Sequence, residues 1–221
     1  MTGLASSAAL PSVSAYQELV ELTRPCMKMR VQYVESLERL QELFSIDADA
    51  YQDCSLTFEQ FQGWWTRYNQ GSTIVLCDNQ IIASIGLWAI TDEQFEAFIE
   101  GQIPEHDLLP VTLEECDQTP QRNWYASGIV LKKPLRGNVK TNPIKLLLER
   151  GVGGWIDSGH VSYPMRVVAL SEFQEGENLL TRFNFMKVRS GEHMPDKCDL
   201  YALQLTSQDD AELLMKARNL W

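Results

Sequence analysis

Leu131-Lys132-Lys133-Pro134-Leu135-Arg136-Gly137-Asn138-Val139-Lys140-Thr141-Asn142-Pro143 joins a strand pattern to a helix pattern. Before it, Asn123-Trp124-Tyr125-Ala126-Ser127-Gly128-Ile129-Val130-Leu131 is rich in the aromatic and β-branched residues that suit a strand. After it, Pro143 falls in a first helical turn, and Ile144, Leu147, Leu148, Val152 and Trp155 give that helix a buried stripe. Val161 to Leu170 then returns as a strand, with Pro164 near its start or at a bulge. Strand, helix and strand within roughly fifty residues make a βαβ unit, so the two strands are expected to be parallel neighbours joined by a right-handed crossover.

Charge is segregated around this joint. Lys132, Lys133, Arg136, Lys140, Lys145 and Arg150 stand against the single acid Glu149, in a chain of 221 residues with a net charge of −11. A helix N-terminus offers unspent backbone N–H groups and about half a positive charge, which suits a pyrophosphate. Arg136 adds a fork able to hold two phosphate oxygens at once. The overall acidity argues against nucleic acid, which needs a far broader basic face. By contrast, the span from Tyr68 to Gln121 has no Lys or Arg and ten carboxylates, a field that draws a protonated amine.

Working outward, residues 1–25 are an N-terminal arm rich in Ser and Ala, and residues 26–221 are expected to form one domain. Met27, Met29, Val31 and Tyr33 alternate with polar residues as in a strand. Ser36 to Phe44 and the segment from Thr57 through Trp65 show helical periods, the second ending before Gly71. Thr73–Cys77 and Ile81–Trp88 flank Asp78-Asn79-Gln80 as a hairpin. Asp92–Glu100 is a short acidic helix, followed by a loop from Gly101 to Gln121. Ser171 is placed to cap a helix ending near Asn184; a final strand pair, Phe185–Arg189 and Leu200–Leu205, precedes a helix starting at Ser207. The expected class is α+β: a mixed, mostly antiparallel sheet with one parallel βαβ pair and flanking helices.

The five cysteines are odd in number and scattered, and read as reduced, packed thiols without a zinc site. No metal is expected. No segment reaches the ~20 apolar residues of a membrane span, and no leader pattern opens the chain, so a cytoplasmic location is expected.

This order of elements, from Met27 to Leu205, resembles the GNAT acyltransferase superfamily. The resemblance places Arg136-Gly137-Asn138-Val139-Lys140-Thr141 on that family's acyl-CoA loop, Q/R-x-x-G-x-G/A; Val139 and Thr141 stand where small residues are usual. It also implies that a backbone amide at Ile129, Val130 or Leu131 polarises a thioester carbonyl, with pantetheine in a gap between the Ser127 and Val167 strands. Asn184 takes the place of a helix-ending Gly, and Leu180 falls where many members carry the Tyr that protonates the leaving thiolate. The donor is then acetyl-CoA or another acyl-CoA, and an amine attacks it directly.

For the acceptor side, Glu105 is the leading catalytic candidate, because Ile103-Pro104-Glu105-His106-Asp107 sets a polar triplet on a Pro-fixed loop; Asp92 and Asp47 follow as carboxylates that bind or deprotonate an amine. Trp88 is a candidate wall of the acceptor pocket, and Ser171 a candidate helper of the departing thiolate. The acceptor is expected to be a small amine or an amino acid. Two alternatives stand beside this one: a long-chain acyl transferase fed by an acyl carrier protein, as in N-acyl amino acid synthases, and a catalytically silent GNAT-fold binding module. Leu213, Leu214, Leu220 and Trp221 on the last helix suit a homodimer contact or the core.

Overall fold

The computed structural model describes residues 29–51, 56–132 and 143–216, with side chains as far as residue 213. The N-terminal arm and the basic turn, including Arg136, Gly137, Asn138, Val139, Lys140 and Thr141, lie outside the described residues.

Among the described residues, seven strands form one sheet in the order β1-β2-β3-β4-β5-β7-β6. Strand β1 is Met29–Tyr33, and helices α1 (Leu37–Ala50) and α2 (Phe58–Arg67) follow it. Ser36 caps α1 by accepting from the Arg39 N–H, and Thr57 opens α2 through a reciprocal capping box with Gln60. Strands β2 (Ser72–Cys77) and β3 (Gln80–Ala89) make the expected hairpin; Asp78 and Asn79 carry the positive φ that its two-residue turn demands, at 47° and 73°. Helix α3 (Asp92–Ile99) comes next. The segment expected as a plain loop holds a single 3-10 turn, Glu105–Asp107, and a short helix α4 (Leu113–Gln118) capped by Thr112.

Strand β4 (Gln121–Leu131) pairs antiparallel with β3 and parallel with β5 (Val161–Ser171), the one parallel pair in the sheet. Their crossover runs through α5 (Pro143–Leu146), a π-helical turn (Leu147–Val152) and α6 (Gly153–Asp157). The Tyr163–Pro164 peptide is cis, and the β4–β5 register shifts beside it, where a bulge was expected. Helix α7 (Gln174–Arg182) ends with Asn184 at φ 59°, the left-handed conformation foreseen for it. Its N-cap corrects the expectation for Ser171: the capping position is Phe173, and the Ser171 hydroxyl instead donates to the Phe173 carbonyl at 3.0 Å. Strands β6 (Met186–Arg189) and β7 (Asp199–Leu205) and helix α8 (Gln208–Lys216) complete the described residues.

One aromatic cluster fixes α2 against the sheet centre. Trp88 meets Phe61 and Trp64 edge to face, Trp64 meets Tyr125, and Phe98 meets Tyr125, with ring centroids between 5.4 and 6.0 Å. Each such pair adds roughly 0.5–1.5 kcal/mol beyond the burial of its area. Gly71 is required here, since a Cβ on it would lie 2.2 Å from the Trp88 ring.

Cys116 and Cys198 are free thiols, the first of them buried. Cys77 is disulfide-bonded, which corrects the expectation that every cysteine is reduced. Among the described residues, no helix is long and apolar enough to cross a membrane.

Candidate active site

The parallel pairing of β4 with β5 runs only to Ala126 opposite Ala169, although β4 continues to Leu131. A register shift against β3 between Gly86 and Trp88 puts one extra residue into β4 at this point. Gly128, at φ 154°, sits in that bulge, and a Cβ there would crowd the Tyr51 ring. The strand therefore bends away from β5 and opens a gap. Trp88 holds the bulge from the core side, its indole N–H donating to Ser127 Oγ at 2.9 Å.

Alternation of the antiparallel ladder decides which backbone groups face the gap. The Lys132 N–H donates to the Ile82 carbonyl, and Val130 and Gly128 lie opposite Ser84 and Gly86. These even positions spend their backbone groups on β3, so Ile129 aims its N–H and C=O into the gap. The Tyr51 hydroxyl reaches the Ile129 carbonyl at 3.3 Å, and the Tyr51 ring stacks on Phe173.

Two cavities meet at this bulge. The first, of about 130 Å³, lies on the α1–α2 side of the sheet and is lined by Asp47, Ser84, Glu105, Tyr125, Glu172, Asp196 and Cys198, with apolar walls from Leu43, Phe44, Leu56 and Phe61. The second, of about 150 Å³, is almost wholly apolar; Ile129, Leu148, Val167, Leu179, Leu180 and Phe183 are among its walls. Tyr51, Ile85, Gly128 and Leu170 line both.

In the first cavity Asp47 is the unusual group. Its carboxylate points inward from α1, and its Oδ1 is sealed from solvent with no hydrogen-bond partner among the described residues. Burial pushes its pKa up to about 7; the nearby Ser84 hydroxyl opposes the rise and the Glu105 charge adds to it. Tyr125 donates its hydroxyl to Glu105 Oε1 at 2.6 Å, and the Glu105 N–H donates to Asp196 Oδ2 at 3.0 Å. Burial also raises the Asp196 carboxyl, and lifts the Cys198 thiol to about 11, so Cys198 is no thiolate nucleophile near neutral pH.

The sequence-expected residues divide as follows. Glu105 and Val130 line the first cavity. Ile129 lines the second, and Leu131 packs half-buried on the core. Asp92 does not face the site. It sits at the start of α3, where Arg122, Asn123 and Arg166 all donate to it, and those contacts hold its carboxyl below the usual range, Asn123 first among them. Trp88 is fully buried, so it positions Ser127 rather than walling a pocket. Ser171 lines neither cavity, its hydroxyl spent on Phe173.

Sequence reasoning ranked Asp47 last of three carboxylates and passed over Tyr51 and Asp196. A signal for Asp47 existed: it lies seven positions after Leu40 and four after Leu43, on the buried stripe of its helix. A carboxylate there must either be paired or do something. Tyr51 follows one turn later on the same face. Asp196 reaches the site through the chain between β6 and β7, which no periodicity marks.

No family model matches the chain, and no curated protein matches its sequence. Solved structures do match in fold. The chain is similar to FeeM, an N-acyl amino acid synthase from uncultured soil microbes, with a TM-score of 0.57 over 86% of this chain and 97% of that one, at 8% identity. It is similar to the loading GNATL domain of CurA from Lyngbya majuscula, with a TM-score of 0.55, 13% identity, and coverage of 80% and 98%. A GNAT-like decarboxylase, GphF, in complex with isobutyryl-CoA, matches with a TM-score of 0.53, 12% identity, and coverage of 79% and 98%. The fold of this chain is the GNAT fold.

Proposed function

We propose that this protein is an acyltransferase that moves an acyl group from an acyl-CoA thioester to an amine by direct attack. The observation that carries this reading is the Asp47 carboxylate, its Oδ1 shut off from solvent and its pKa pushed up by burial to about 7, in a cavity that shares Tyr51, Gly128 and Leu170 with the gap between β4 and β5. A group poised near neutrality is suited to accept a proton during the reaction.

In this reading the pantetheine arm lies in the gap and the acyl chain in the apolar cavity, while the amine enters the acidic cavity. The Ile129 N–H donates to the thioester oxygen as negative charge develops there. The amine lone pair forms the new C–N bond, the C–S bond breaks, and the electron pair leaves on sulfur. Asp47 takes the proton released from nitrogen. Tyr51, where the two cavities join, supplies a proton to the departing thiolate, the task for which Leu180 has no group. The basic turn at Lys132 to Lys140 is the proposed holder of the pyrophosphate.

A carrier-protein thioester is the second reading, favoured by the apolar lining of the second cavity, which suits a chain longer than acetyl. The test is thiol release from acetyl-CoA, a long acyl-CoA and an acyl carrier protein across an amine panel, with the amide product identified by mass spectrometry. Amine-dependent release is expected. Donor binding without any release would overturn the assignment in favour of a silent binding module.

A further inference from the structure

Two residues of β3 are shaped around one hydroxyl on β4. Trp88, fully buried, aims its indole N–H at Ser127 Oγ across 2.9 Å, and a Cβ on Gly86 would lie 2.0 Å from the same oxygen and force it out of that position. We propose that Ser127 is a catalytic residue whose hydroxyl donates to the thioester oxygen as negative charge develops there, a second donor beside the Ile129 N–H. Ser127 takes this role within the acyl-transfer reading, on which the proposal rests, and gives the oxyanion a side-chain partner as well as a backbone one.

The Trp88 contact decides which way the hydroxyl works. An indole N–H can only donate, so Ser127 Oγ accepts from it and keeps its own hydrogen and one lone pair. Among the described residues that hydrogen meets no acceptor, and Ser127 lines the first cavity. Hydrogen bonds in series polarise one another, so an N–H donated to Oγ makes the O–H a stronger donor and a poorer base. Such a hydroxyl suits developing negative charge and is ill suited to taking a proton from an amine. Nor is it set up as a nucleophile, which needs a base at Oγ, where Trp88 places a donor.

The bulge brings the two donors to one place. In a regular strand Ser127 and Ile129 would share a face of the sheet. The extra residue in β4 breaks that period, so Ser127 lines the first cavity, Ile129 lines the second, and Gly128 between them lines both. In the proposed mechanism the thioester carbon stands where the cavities join, and its oxygen falls at Gly128, which has no side chain to exclude it. The Ile129 N–H then meets that oxygen from the gap, and the Ser127 hydroxyl meets it from the first cavity. A second donor matters here because the carboxylates Glu105 and Glu172 line the same cavity, and their charge opposes a developing oxyanion.

The experiment compares the full-length wild type with Ser127→Ala, Ser127→Thr and Trp88→Phe, using acetyl-CoA and octanoyl-CoA. Thiol release is measured across the amine panel, and the infrared carbonyl band of each donor, labelled with carbon-13 at the thioester carbon, is recorded bound to the protein without amine. Ser127→Ala should lose about a hundredfold in kcat, the lower end of the cost of removing one oxyanion donor, with KM for donor and amine within about threefold of wild type. Its bound carbonyl band should move back toward that of the free thioester. Ser127→Thr, which restores a hydroxyl, should recover most of the rate and the band position. Trp88→Phe leaves the hydroxyl in place but loosely held, and should lose far less than Ser127→Ala. Equal losses in Ser127→Ala and Trp88→Phe with an unmoved carbonyl band would show that the pair only braces the bulge, and a Ser127→Ala kcat within threefold of wild type would likewise overturn the proposal. A wild type that neither binds nor releases thiol from either donor would overturn the acyl-CoA reading, and the role of Ser127 with it.

Discussion

Tyr125 gives its hydroxyl hydrogen to Glu105 Oε1 across 2.6 Å, tying the middle of β4 to the single 3-10 turn that edges the acidic cavity. Tyr125 is buried, and its pKa stands well above the usual phenol value, through burial first and the Glu105 charge second, so the hydroxyl remains a donor throughout the working range. Removing it leaves Glu105 without that anchor. Tyr125→Phe should therefore raise KM for the amine several-fold and leave KM for the acyl donor near its original value. Hydrogen bonds to charged groups contribute about 1.5–3 kcal/mol, so a measurable drop in melting temperature should accompany the change.

Asp47 makes opposite demands on stability and on rate. Its folded pKa of about 7 lies above the ordinary 3.8, so between these values the folded state holds a proton that the unfolded state has released. Stability then falls as pH rises from about 4 to about 7, by an amount on the order of 4 kcal/mol at 1.36 kcal/mol per pKa unit, and changes no further through this group above that window. The transfer rate should rise over the upper part of the same window, because only the ionised carboxylate accepts a proton. Asp47→Asn should lose at least a hundredfold in kcat, become more stable than the wild type at pH 8, and show a flatter stability profile between pH 4 and 7. A kcat within threefold of wild type would remove Asp47 from the chemistry.

Asp92 looked, in the sequence, like part of the amine site because it sits in the acid-rich segment. The structure gives it a mechanical task. Arg122 and Arg166 reach it at 2.8 and 3.1 Å, and Nδ2 of the buried Asn123 donates to it at 2.6 Å. Asp92→Ala should lower the melting temperature, mainly because the Asn123 amide is left without this acceptor, at a cost of roughly 1–3 kcal/mol. Its depressed carboxyl pKa means that its contribution is present near neutrality and is lost as pH falls through the folded value. The acyl-transfer rate should match the wild type, measured at a temperature where both proteins are folded.

What the sequence made legible follows from local rules. The βαβ unit was readable because a strand, a Pro-initiated helix and a second strand are each specified by their own period; the helix returns the chain to start a parallel strand, and strand twist makes that crossover right-handed. The hairpin at Asp78-Asn79 and the turn at Asn184 were readable for the same reason, since few residues tolerate positive φ. The site resisted this treatment. Helix α1 continues to Ala50, beyond the expected end at Phe44, because Ser45, Asp47 and Asp49 dilute the apolar stripe while packing on the sheet holds the last turns in place. Glu105 and Asp196 meet only through the fold, by a backbone hydrogen bond spanning ninety-one positions. Long-range convergence of this kind leaves no periodic trace.

Tyr51 bears on whether the missing tyrosine of α7 has been replaced. It stands at the C-terminal end of α1, lines both cavities, and touches the carbonyl of Ile129, the residue whose N–H is proposed to meet the thioester oxygen. In the proposed mechanism a proton donor there would meet the sulfur as the C–S bond breaks, in a cavity that Tyr51 and Leu180 both line. Tyr51→Phe keeps the ring stacked on Phe173 and removes only the hydroxyl. With an alkyl thiol as leaving group, kcat should fall about ten- to a hundredfold, the range of general acid catalysis. With an aryl thioester donor, whose thiolate leaves without protonation, the loss should shrink to less than threefold. Equal losses with both donors would show that the hydroxyl positions the β4 backbone through Ile129, and that sulfur takes its proton from elsewhere.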